Sequence, residues 1–117
     1  MSSQGTTRDV DPIQLVSTVL DKTKAGKLIW EETADEDRFI ASVGGSATVE
    51  VRRPSSDYSL TAEHYYYTLC LLDENGKVLS VINEPQTLIQ ELFGLARKIA
   101  LRVDEKVEAF LETLQKL

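Results

Sequence analysis

Few side chains in this sequence could carry chemistry, and each stands without the companions that chemistry needs. His64 is the only histidine, which excludes a site needing two. As a lone general base it would need an oriented nucleophile, yet Glu63, Tyr65, Tyr66 and Tyr67 around it are mainly strand formers. Cys70 is the only cysteine, so no intramolecular disulfide can form. Set among Thr68, Leu69, Leu71 and Leu72, it reads as a small buried hydrophobe with a raised pKa rather than a nucleophile. Glu31, Glu32, Asp35, Glu36 and Asp37 concentrate the oxygen ligands that hard cations favour, but the central Gly and twelfth-position Glu of an EF-hand loop are missing. A solvated hairpin loop is the expectation. Gly44-Gly45-Ser46 is followed by no Gly-Lys-Ser/Thr and by a strand rather than a helix, so it reads as a turn and not as a phosphate cradle. The sequence therefore predicts no catalytic, cofactor-binding or metal-ligating residue.

The elements that would position these side chains are easier to read. Asp11-Pro12-Ile13-Gln14 is a helix start, with Asp11 as N-cap and Pro12 in the first turn. Ile13, Val16, Val19 and Leu20 form its apolar face, and Gly26 supplies the left-handed stop. Beyond Gly26 the apolar period moves towards two, predicting strands at Lys27–Glu31, Arg38–Val43, Ala47–Arg53, His64–Leu72 and Lys77–Ile82. Asp73-Glu74-Asn75-Gly76 admits either a two-residue Asn-Gly turn or a type I turn with Gly76 as bulge. In both, Tyr67, Leu69 and Leu71 share a face with Val78, Ser80 and Ile82, and Tyr66, Thr68 and Cys70 share the other with Leu79 and Val81.

From Pro85 to Leu117 apolar residues recur at Leu88, Leu92, Leu95, Ile99, Val103, Val107, Phe110 and Leu114, the stripe of one long amphipathic helix. A second apolar row, Ile89, Phe93, Ala96 and Ala100, runs beside it. Asn83, Glu84 and Thr87 compete as N-cap, and Val103-Asp104-Glu105 is a weak point, since Asp favours caps over interiors. The expected fold is α+β: an N-terminal helix, an antiparallel meander of about five strands and a long C-terminal helix packed on the sheet. Residues 1–10 are too poor in apolar side chains to offset their ordering entropy and read as a disordered tail, with 11–117 a single domain.

Three stretches, in this order, resemble a group of small, uncharacterised bacterial proteins. Lys24-Ala25-Gly26-Lys27-Leu28-Ile29-Trp30-Glu31 is similar to their helix-to-strand junction, YTLCLLDENGKVL from Tyr67 to their central hairpin, and LFGLARKIALRVDEKVEAFL from Leu92 to their closing helix. The resemblance implies the α-β-meander-α order. Its motifs concern packing and turns, and it carries over no functional residue.

A chain of 117 residues with 42% hydrophobic and 27% charged residues can bury roughly two thirds of its unfolded surface without a staple. The net charge of -6 opposes nucleic acid and anionic membrane, and Arg97, Lys98, Arg102 and Lys106 are interspersed with Glu91, Glu105 and Glu108. No N-terminal apolar run follows basic residues and no apolar stretch approaches eighteen residues, which points to the cytoplasm.

These observations lead to a non-enzymatic protein-interaction or adaptor module, its partner another protein or a second copy in a homodimer. Tyr66, Leu79, Val81 and Phe93 are the expected partner surface, because one sheet face cannot bury both helix rows and the apolar second face. The alternative is a small-molecule-binding domain or minor enzyme with a pocket between the C-terminal helix and the sheet. Convergent polar side chains in that space would favour the alternative, and a dry core would favour interaction.

Overall fold

The computed structural model describes residues 11–54 and 66–117. The expectations for the tail 1–10, for His64 and for the first residues of the fourth strand lie outside these.

The first helix, α1, spans Pro12–Lys24, and the Asp11 carboxylate accepts from the Ile13 N–H at 2.9 Å, as its cap chemistry demands. At the other end the Gly26 N–H donates to the Thr23 carbonyl and the Lys27 N–H to the Lys22 carbonyl. This Schellman pair needs the positive φ of Gly26, 74°. It also commits the Lys27 N–H to the helix, so the first strand begins later than the alternation suggests: β1 is Trp30–Glu32.

Then follow β2 (Arg38–Val43), β3 (Ala47–Arg52), β4 (Thr68–Leu72) and β5 (Val78–Ile82). They form one antiparallel sheet in the order β1-β2-β3-β4-β5, the expected meander. Gly44 and Gly45 turn β2 into β3 with positive φ. Between β4 and β5 the Gly76 N–H donates to the Asp73 carbonyl and Gly76 sits at φ 79°, so the type I turn with a glycine bulge is the one formed.

The closing helix is two helices. One, α2, spans Gln86–Ala100, and the other, α3, spans Val103–Gln115; Arg102 between them is left-handed at φ 52°. The break falls just before the Val103-Asp104-Glu105 weak point. The start of α2 also differs from expectation, because its N-cap is Pro85 and none of Asn83, Glu84 and Thr87 caps it.

Both α1 and α2 cover the same sheet face. Val16, Val19 and Leu20 of α1 and Ile89, Leu92, Phe93 and Ala96 of α2 bury against Trp30, Phe39, Ala41, Val49, Val51, Leu69 and Ile82. The row expected to be spare, Ile89 with Phe93 and Ala96, is thus the one on the sheet, while Ile99 of the main stripe is partly exposed. The α2 stripe is rotated by about one position because α1 lies alongside and gives Leu88 and Leu95 a second surface to pack on. On the far face Arg38 pairs with the buried carboxylate of Glu50, and Arg52 with Asp35 at 3.0 Å.

Candidate functional site

The four residues expected to form a partner surface are not brought together. Phe93 is the clearest correction: it is only 4% exposed, with its ring 5.4 Å from Phe39 and 5.8 Å from Tyr67. The Arg53 guanidinium lies 5.4 Å from the same ring centroid, a cation–π contact that closes the core on that side. Tyr66, 48% exposed, precedes β4, whereas Leu79 lies beside the far end of that strand, about 18 Å away by strand rise. Val81 pairs with Cys70 on the face away from the helices.

Leu79 leaves the expected face because the β4–β5 ladder slips. Leu71 pairs with Ser80 but Leu72 pairs with Val78, so Leu79 has no direct opposite. Such a bulge re-aims side chains. Leu79, 63% exposed, here lines an apolar groove beneath α1. Leu15, Val19 and Leu28 form one wall and Val43, Val49 and Leu71 the other, enclosing about 440 Å³. Thr18, Lys22 and Thr48 bring the few polar atoms to its rim.

Cys70 sits opposite Glu50 on the far face, half-buried. Burial pushes its thiol up to about 11, and the neighbouring Glu50 carboxylate, which accepts its hydrogen bond, adds to the rise. A thiol held protonated in this way is a poor nucleophile at neutral pH.

The acidic loop after β1 is structural in its central part. Asp35 pairs with Arg52, Asp37 with Arg53 at 2.6 Å, and the single proton of the Thr33 hydroxyl is shared between the Asp35 and Arg38 carbonyls. Among the described residues no three acidic, histidine or cysteine side chains gather closely enough to hold a metal ion. Nor is any helix among them long and apolar enough to cross a membrane.

One feature had no strong sequence signal. The Gln86 side-chain amide accepts from the Tyr67 N–H at 2.9 Å and donates to the Tyr67 carbonyl at 2.8 Å, clamping both backbone groups just before β4. The stripe of α3 was legible as a helix but not its exposure: none of its side chains is buried, and among the described residues it packs substantially only on α2. Val107, Phe110, Leu111 and Leu114 are each about half exposed or more. Comparison of the chain with known protein families, curated proteins and solved structures finds no match.

Proposed function

We propose that this protein is a non-enzymatic protein-interaction module of the bacterial cytoplasm, whose partner is another protein or a second copy of itself. One observation supports it most: apolar side chains are lodged tightly where a ligand would have to sit and left outside where a partner could reach them. Between α2 and the sheet, Ile89, Leu92, Phe93 and Ala96 meet Phe39, Val51 and Leu69 with little or no exposure. The middle of that space is apolar, while at its edge Arg53 and Arg97 converge with Glu32, Asp35 and Glu36 on a small cavity of about 220 Å³, which is the feature that speaks for a ligand. Leu79, Val81 and the apolar row of α3 meanwhile face solvent, more apolar surface than scattered exposure explains. The acidic balance disfavours nucleic acid and anionic membrane as the partner.

A second reading, a small-molecule binder or minor enzyme, takes support from the groove beneath α1. Its lining suits an apolar ligand and holds no paired acid and base, so binding is better supported than catalysis.

Affinity capture from the native host, with wild type and Leu79→Glu side by side, tests both. A protein retained by wild type and lost with the variant supports the module. Native mass spectrometry showing instead a small molecule carried by wild type and released by the variant would overturn it in favour of the binder.

A further inference from the structure

We propose that the charged cavity at the edge of the α2–sheet interface binds a free aliphatic amino acid, its carboxylate towards Arg53 and Arg97 and its ammonium group towards Glu32 and Glu36. This goes beyond the interaction reading and does not depend on it. The two signs come from different elements. Arg97 lies in the last turn of α2 and Arg53 just after β3, whereas Glu32 ends β1 and Glu36 stands in the loop that follows. Among the described residues no ion pair joins either arginine to Glu32 or Glu36, so opposite charges line one cavity without closing on one another. The neighbouring acids are already engaged: Asp35 pairs with Arg52, and Asp37 with the Nε of Arg53 at 2.6 Å. Those pairs fix the loop, and the Arg53 guanidinium is also held over the Phe93 ring. Its terminal nitrogens, Arg97 and both glutamates remain uncommitted among the described residues.

Size and charge select the ligand. The cavity of about 220 Å³ lies below the range for drug-sized molecules and has the volume of roughly seven waters, so the ligand has no more than about ten non-hydrogen atoms. A simple anion would meet Glu32 and Glu36 as like charges, and a simple cation would meet Arg97. A zwitterion pairs with both walls. Phe39 and Leu101 give the cavity an apolar floor, which suits an uncharged side chain such as that of leucine. Because Glu32, Glu36 and Arg97 are exposed, each pair contributes modestly and binding is expected in the sub-millimolar range.

Titration of the full chain with leucine, followed by NMR amide shifts, tests this. Leucinamide, which lacks the carboxylate, and isocaproate, which lacks the ammonium group, serve as half-ligands. Leucine should give saturable shifts at the amides of Glu32 to Asp37 and of Arg97. Each half-ligand should bind about three- to tenfold more weakly, and so should leucine to Arg97→Gln or to the double variant Glu32→Gln/Glu36→Gln. Both variants should keep the wild-type thermal transition, since the substituted side chains are exposed. No saturable shift with leucine up to about 10 mM overturns the proposal. Shifts that map elsewhere, or that both variants leave unchanged, overturn it too. A half-ligand that binds as well as leucine would mean a site for one charge only and would overturn the zwitterion. The cavity lies towards the β1 edge of the sheet and Leu79 on the β5 edge, so host capture with Leu79→Glu reads the interaction separately.

Discussion

At the residue scale, one buried polar group and one half-buried thiol set the most specific expectations. The Trp30 indole N–H donates to the Thr23 hydroxyl at 3.0 Å, and that hydroxyl donates to the Val19 carbonyl, so one side chain links β1 to α1. Thr23→Val removes the acceptor without changing the shape and leaves a buried donor unpaired, at a cost of about 1–3 kcal/mol in urea unfolding. Cys70 is the second case. With its folded pKa raised to about 11 and its unfolded value near the ordinary thiol range, only the unfolded chain loses the proton first as pH rises. Its contribution to stability is thus complete below the unfolded pKa and lost as pH climbs towards 11. Alkylation by iodoacetamide at pH 8 should be slow beside a free thiol, and Glu50→Gln should speed it by removing the charge that holds the proton, provided the sheet stays folded by circular dichroism. The sequence had Cys70 as a raised-pKa hydrophobe from its apolar neighbours, but Glu50, twenty positions away, becomes its neighbour only through strand register.

At the scale of elements, what proved legible was whatever local chemistry decides. Asp11 caps α1, Gly26 closes it, and Gly44, Gly45 and Gly76 make their turns, because each needs only its own backbone conformation. The orientation of α2 was not legible in the same way. Leu88, Ile89, Leu92, Phe93, Leu95 and Ala96 spread over an apolar arc of about 160°, wider than the stripe that one surface needs, so the row that meets the sheet depends on where α1 lies. Phe93 was misplaced for that reason. As a core ring it predicts a different outcome from a surface anchor: Phe93→Ala should cost ~3–5 kcal/mol, and Phe93→Glu should abolish the cooperative thermal transition rather than dissociate a complex. The Gln86 clamp on Tyr67 was missed because a glutamine nineteen residues away has no periodic signature. Gln86→Ala should lower stability by about 1–3 kcal/mol, and hydrogen exchange should show the loss first at the Tyr67 amide.

At the scale of the whole molecule, the closing segment divides into a part that completes the core and a part that does not. Every side chain that α2 contributes to the core precedes Leu101, and α3 contributes none that is buried. A single helix with one continuous stripe would make the whole segment indispensable; the break at Arg102 limits that requirement to α2. A chain ending at Arg102 should therefore keep its cooperative transition, with stability at low micromolar concentration within about 1 kcal/mol of the full chain, because the lost contacts are solvent-exposed. A chain ending at Glu84 should aggregate or remain unfolded, since Ile89, Leu92, Phe93 and Ala96 leave one sheet face bare. Thermal melts of the two truncations side by side check the division. If the chain ending at Arg102 also failed to fold, α3 would have to brace the end of α2 through Lys98 and Asp104, whose 3.4 Å pair is too exposed to count for more than a fraction of a kcal/mol.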